Sequence, residues 1–183
     1  MQNIDLNKIS KNFCYILRHN PNHIGVVLDR EGYTDLDLFI KKYNECNQTT
    51  ITKNTVEQIV KEDSKGRYNI SKGRIRCNQG HNKALDISVT MNTCKPPSKL
   101  YHGTGSESVG LILNLGLKPM SRQFVHLSED IKTASQVGKR HSNDYVVLEI
   151  DSEKMYLDGY EFKLSDNNVW QMEYVPSKYI KSK

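Results

Sequence analysis

An α+β fold in two parts is what this 183-residue sequence predicts. Three observations predict it. Helical patterns followed by a short hairpin occupy the chain before residue 78. A proline-bearing break falls at Cys94-Lys95-Pro96-Pro97-Ser98, and beyond it short apolar runs alternate with two more helical patterns.

Residues 4–19 place Leu6, Ile9, Phe13, Ile16 and Leu17 on one helical face. Asn20-Pro21 stops that helix, because the residue before a proline is pushed out of helical geometry, and Arg18 and His19 are left at its C-terminal end. Thr34 with Asp37, and Asn54 with Glu57, carry the spacing of N-cap signals and open two further short helices, 35–43 and 55–62. The stretch 41–54 is long and polar and reads as a lengthened surface loop. Runs 68–70 and 74–77 alternate on either side of a Ser-Lys-Gly turn and predict a β-hairpin. Three helices and then a hairpin suggest a winged-helix module, which we place at residues 1–93.

Pro96 and Pro97 can neither continue a helix nor donate to a sheet ladder, so the linker falls there and a second domain spans 99–183. Within it, 100–102, 124–127, 145–150 and 168–172 read as strands. Helical patterns cover 106–115, ended by Gly116, and 129–138, with Ser128 as the expected cap. The second domain is therefore a small α+β unit.

The balance of 26 Lys plus Arg against 21 Asp plus Glu gives a net charge of +5, which mildly favours a polyanionic partner. The apolar fraction of 37% can fill a core. Cys14, Cys46, Cys77 and Cys94 are far apart, with none of the short spacings of a zinc site, so no metal is expected and the thiols suit a reduced compartment. No basic-then-apolar leader and no run of roughly 18 apolar residues occurs. A soluble, non-secreted protein of the cytoplasm is expected, or of the nucleus in a eukaryotic host, with no membrane partner.

Four clusters could carry chemistry. Leu17-Arg18-His19 sends a fixed cation and a titratable ring from one helix end, although cations also suit a helix C-terminus for structural reasons alone. In Arg74-Ile75-Arg76-Cys77-Asn78-Gln79-Gly80-His81, strand alternation puts Arg74 and Arg76 on one face, opposite Ile75 and Cys77; a solvated basic strand would look the same. Tyr101-His102-Gly103-Thr104 ends a strand in a glycine that lets backbone approach a ligand. Met120-Ser121-Arg122-Gln123-Phe124-Val125-His126-Leu127-Ser128 sets an arginine before a strand and a histidine inside it. Several arginines in such company suit a phosphate, because guanidinium groups bind it bidentately and keep their charge.

The ordered blocks ILRHNP, GVVLDREGY, RIRCNQGH, YHGT and GLKPMSRQFVHLS resemble the RNA 2′-phosphotransferase family over residues 8–176. The resemblance implies a winged-helix lobe, then a lobe with the NAD⁺-binding fold of ADP-ribosyltransferases, with the active site between them. It carries the family's essential residues onto Arg18, His19, Arg76 and Arg122, with Arg74 a less certain partner. It sets His102, Gly103 and Thr104 against NAD⁺, and His126 with Ser128 as a second wall. Asn82 stands where serine is usual and Tyr33 where tryptophan is usual; both departures leave the catalytic set intact.

The implied reaction consumes NAD⁺ as a co-substrate and needs no metal. The 2′-phosphate of an RNA, such as a tRNA splice junction, attacks C1″ of the nicotinamide ribose and expels nicotinamide. The 2″-hydroxyl then attacks that phosphate, giving 2′-hydroxyl RNA and ADP-ribose 1″,2″-cyclic phosphate. The absence of a GxGxxG fingerprint agrees with this use of NAD⁺, since no hydride is carried. One alternative keeps the fold but stops after the first step, ADP-ribosylating a protein or a nucleic-acid terminal phosphate. Such transferases usually place a glutamate where this chain has Val169-Trp170-Gln171-Met172, with Glu173 nearby. The other is a non-catalytic RNA-binding winged-helix protein, which leaves the Arg-His pair, HGT and VHLS without a purpose. A monomer suffices for a site built from one chain.

Overall fold

A computed structural model describes residues 5–182 and shows helices and strands in an α+β arrangement. The first position of the helix expected from residue 4 lies outside the described residues. The chain forms two compact units, dividing after Thr90.

In the first unit, α1 (Leu6–Arg18) opens with Asp5, whose carboxylate accepts from the Lys8 N–H. It buries Ile9, Phe13, Ile16 and Leu17, the stripe expected from the 3.6-residue period. A two-residue strand, β1 (Thr34–Asp35), leads into α2 (Leu36–Cys46), and α3 (Lys53–Glu62) follows. Both caps differ from expectation. Asp35 rather than Thr34 caps α2, because Thr34 pairs with Ile75 in the sheet and is itself buried. Thr52, paired reciprocally with Thr55, caps α3 in place of Asn54 with Glu57. Nor is 41–54 a free loop. Helix α2 runs on to Cys46, and the Asn44 carboxamide accepts from the Ile51 N–H at 2.8 Å and donates to the Ile51 carbonyl at 2.9 Å, sealing Ile51 into the core.

The hairpin is β2 (Tyr68–Ser71) and β3 (Arg74–Cys77), closed by Lys72 and Gly73, both at positive φ, as a two-residue turn requires. With β1 they form a sheet of order β1-β3-β2. Phe13 centres the core, meeting the rings of Phe39, Tyr43 and Tyr68 edge to face at 5.1, 5.2 and 6.3 Å.

The second unit begins earlier than the proline break. Strand β4 (Asn92–Thr93), whose residues fall before the expected linker, pairs with β8 (Lys163–Leu164). Between them come β5 (Leu100–Gly105), α4 (Val109–Leu115), β6 (Val125–Leu127), α5 (Ile131–His141), β7 (Tyr145–Ile150) and α6 (Ser152–Leu157). Strands β9 (Trp170–Met172) and β10 (Ile180–Ser182) follow. Two antiparallel sheets result, β10-β7-β5 and β4-β8-β9-β6. Leu100, Leu148 and Ile150 from one sheet meet Val125, Leu127, Trp170 and Met172 from the other in a single core. Asp130, not Ser128, caps α5, since Ser128 exchanges backbone hydrogen bonds of 2.8 Å with Tyr101. No described helix is long and apolar enough to cross a membrane.

Candidate functional site

Arg18 is the last residue of α1 and His19 its C-cap, so the guanidinium and the imidazole leave the helix end together. Arg18 is held at its backbone and against its guanidinium. The Asn82 N–H donates to its carbonyl at 2.8 Å. Its guanidinium carbon lies 3.4 Å from where a methyl on Gly80 would stand. The neighbouring Cys77 and Cys14 act to raise the arginine's pKa against the burial that by itself would lower it. Its Nε and Nη2 are nonetheless buried without a hydrogen-bond partner. Buried donors left unmade cost about 1–3 kcal/mol each, so this guanidinium is poised for an acceptor.

Arg76, 7% exposed, donates from Nη1 to the Glu31 carbonyl and to Glu31 Oε2, both at 3.1 Å. Glu31 is fixed in turn by the Thr90 N–H at 3.0 Å and the Thr90 hydroxyl at 2.7 Å. These Thr90 bonds, aided by Arg76, hold its carboxyl below the usual range. Arg74 and Arg76 share a face, as alternation requires, and lie 4.5 and 4.7 Å over the Tyr33 ring, where the ring quadrupole attracts both cations. Arg74 also pairs with Asp29 at 2.9 Å and is more exposed, which suits a supporting part.

His81 closes the RIRCNQGH block, where its spacing alone points to no role. It is 2% exposed, and its Nε2 has no partner. Burial first, then the charges of Arg18, Arg76 and His19, lower its pKa to about 4, so the ring is neutral at physiological pH. The first unit therefore gathers Arg18, His19 and Arg76 around one buried neutral imidazole.

In the second unit, β5 and β6 carry the remaining candidates. His102 Nδ1 lies 3.0 Å from the His126 carbonyl, and burial lowers its pKa, opposed by that hydrogen bond. Arg122 Nη1 reaches His126 Nδ1 at 2.6 Å, so the ring nitrogen facing the guanidinium is the acceptor. Thr104 follows on β5, and Ser128 continues from β6 into its bridge with Tyr101. The close approach that Gly103 permits is made by α5: a Cβ there would lie 1.9 Å from the Ala134 carbonyl oxygen. Sequence reasoning passed over Gln171, which pairs with His126 across β9 and β6 and therefore shares its face. It is 1% exposed, with Nε2 lacking an acceptor. The signal available was a polar residue amid the apolar run Val169-Trp170-Gln171-Met172.

Comparison with known proteins accords with this geometry. A family model described as "RNA 2'-phosphotransferase, Tpt1 / KptA family" matches residues 5–173. A protein of Fusobacterium nucleatum is 42% identical, covering 95% of this chain and 97% of its own length. One from Acetivibrio thermocellus is 38% identical, with 97% of each chain covered. One from Nostoc punctiforme is 41% identical, with 98% of each covered. All three carry the description "Probable RNA 2'-phosphotransferase". The chain belongs to the RNA 2′-phosphotransferase family.

Proposed function

We propose that this protein removes an internal RNA 2′-phosphate, of the kind left at a tRNA splice junction, by transferring it to NAD⁺. The observation that carries the reading is Arg18: two buried guanidinium nitrogens without acceptors, in company with Arg76 and His19. A tetrahedral phosphate offers acceptors for such a set, and bidentate guanidinium bonds supply both charge and orientation. Three helices with a β1-β3-β2 sheet support the winged-helix reading of the first unit, and two antiparallel sheets around one core support an ADP-ribosyltransferase-like second unit.

For NAD⁺ the residues present fit. His102, Thr104, His126 and Ser128 would hold it, with Gly103 letting β5 pack close against α5, and the Gln171 Nε2, a buried donor beside His126, marks a place where an acceptor is wanted. Bound there, NAD⁺ supplies an electrophilic C1″ with nicotinamide as leaving group. Arg18 and Arg76 orient the 2′-phosphate, and Arg122, held against His126, supplies further fixed positive charge to the phosphate transfer. His19, at the exposed helix end, carries an imidazole, a side chain able to donate or accept a proton, and we assign it to the second transesterification. The products are 2′-hydroxyl RNA, ADP-ribose 1″,2″-cyclic phosphate and nicotinamide, by way of a 2′-phospho-ADP-ribosylated RNA. A transferase that stops after the first step draws no support from β9, which presents Gln171 and no carboxylate.

The test is incubation with NAD⁺ and an oligoribonucleotide bearing one internal 2′-phosphate, resolving RNA and nucleotide products together. The cyclic phosphate and 2′-hydroxyl RNA are expected; a stalled ADP-ribosylated RNA, or no reaction, would refute the full reaction.

A further inference from the structure

The residues that hold Arg18 and those that hold Arg76 belong to different loops, and His81 joins the two, with its backbone in the first and its ring against the second. Gly80 underlies the Arg18 guanidinium, and Asn82 bonds the Arg18 carbonyl at 2.8 Å. Between them in sequence stands His81, whose ring packs against Gly32: a methyl carbon on Gly32 would lie 3.0 Å from His81 Nε2 and 3.3 Å from its Cε1. Gly32 in turn follows Glu31, the residue that grips Arg76 through both its carbonyl and its carboxylate. The loop that carries Glu31 is itself closed by Asp29, whose carbonyl accepts from the Gly32 N–H at 2.8 Å and whose N–H donates to the Tyr33 carbonyl at 2.8 Å. Both glycines have positive φ, +79° at Gly32 and +88° at Gly80, so neither contact survives a larger residue unstrained.

We propose that His81 is a positioning residue: carried on the 78–82 loop and packed against the 29–33 loop, it sets the separation of the Arg18 and Arg76 guanidiniums and thereby makes them a rigid receptor for a tetrahedral phosphate. The inference rests on the proposed function for its ligand and deepens it. A spacer between two cations has to be uncharged and incompressible. An imidazole kept neutral by burial meets both demands, whereas a third cation would repel the pair it separates. The Nε2 has no hydrogen-bond partner, so the edge of the ring that faces Gly32 is held there by packing. Rigidity matters because two guanidiniums free to spread pay ordering entropy on binding, and a misplacement of about 1 Å can cost about a hundredfold in rate.

The test uses the full chain and the variants His81→Ala, which empties the wedge, and His81→Gln, which keeps an amide at similar reach. Binding of a short RNA with and without an internal 2′-phosphate is measured in the absence of NAD⁺. Binding of inorganic phosphate is followed in parallel through the arginine Nε–H resonances. The expected result is that His81→Ala lowers the preference for the 2′-phosphorylated RNA about tenfold, leaves binding of the 2′-hydroxyl RNA unchanged, and weakens inorganic phosphate similarly, with His81→Gln between it and wild type. General unfolding would depress both RNAs alike and leave the ratio untouched, and His81→Gln gives the reading should His81→Ala fail to fold. A preference retained within about twofold in both variants overturns the positioning role while the function stands. If wild type shows no preference for the 2′-phosphate yet binds inorganic phosphate in a His81-dependent way, the proposed substrate is wrong and the positioning role stands. If it binds neither, both fall.

Discussion

At the scale of single residues, charge on the first unit is governed by what holds each guanidinium. Arg76 is the nearly buried member of an ion pair whose carboxylate is 42% exposed, and Glu31 orients it through two acceptors at once. Removing that carboxylate in Glu31→Gln leaves the backbone carbonyl in place, so Arg76 should keep its station but lose its fixed angle. We expect a fall in kcat/KM of roughly tenfold with little change in melting temperature; an unchanged kcat/KM would show that the backbone carbonyl alone suffices. His19 makes a different prediction because the part proposed for it is proton transfer. His19→Ala should accumulate 2′-phospho-ADP-ribosylated RNA, since the first displacement expels a good leaving group and the second does not. Slowing of the first step alone, with no intermediate on a denaturing gel, would remove His19 from the second.

At the scale of elements, packing explains what periodicity could and could not reveal. The buried face of α1 was legible because Leu6, Ile9, Phe13, Ile16 and Leu17 repeat at the helical period, and the hairpin because Lys72-Gly73 closes two alternating runs. The strands β1, β4 and β8 were not legible: each is two residues long, too short to show alternation, and forms only because a longer partner is present. Caps shifted by one or two residues: Thr34 and Ser128 are taken by the sheet and by a backbone bridge, leaving Asp35 and Asp130 to cap, and Thr52 with Thr55 caps α3. In the candidate site the arginines declared a role through their motifs, whereas Glu31 and His81, although inside quoted blocks, and Gln171 did not, since their importance lies in burial and contact, which sequence spacing does not encode. Gly103 shows the same limit. Its sequence context suggested a ligand-facing strand end, and the structure puts α5 backbone against it. Gly103→Ala would force a methyl to 1.9 Å from the Ala134 carbonyl oxygen, which only separation of β5 from α5 can relieve. A loss of roughly 3 kcal/mol or more in urea-unfolding free energy is expected, and a loss under about 1 kcal/mol would mean that the helix shifts at little cost.

At the scale of the whole molecule, both units bury a histidine whose proton affinity is lowered, so acid should weaken the protein well before its carboxylates titrate. Burial is the leading cause at His81, reinforced by Arg18, Arg76 and His19, and likewise at His102, reinforced by His141 and Arg122 and opposed by the His126 carbonyl. A folded pKa lying below the unfolded one favours the neutral form, so the associated stability is complete above the unfolded pKa. As pH falls through that value the unfolded chain takes up a proton that the fold refuses, and the loss ends once the folded pKa is passed. For His81 the window runs from 6.5, its ordinary value, down to about 4. The linkage relation then gives a loss of about 2 kcal/mol between pH 7 and pH 5 from this residue, with His102 adding in the same direction. Glu31 and Asp63, whose carboxyls are held below their usual values, lose their stabilising contribution only in more acid solution and leave this window largely to the histidines. Urea unfolding followed by far-ultraviolet circular dichroism at pH 7 and pH 5 should show the drop in wild type. In His81→Gln, where nothing at position 81 titrates, the drop should shrink by about 2 kcal/mol. Equal drops in the two proteins would mean that His81 gains its proton as readily folded as unfolded, and the neutral wedge between the two arginines would have to be abandoned.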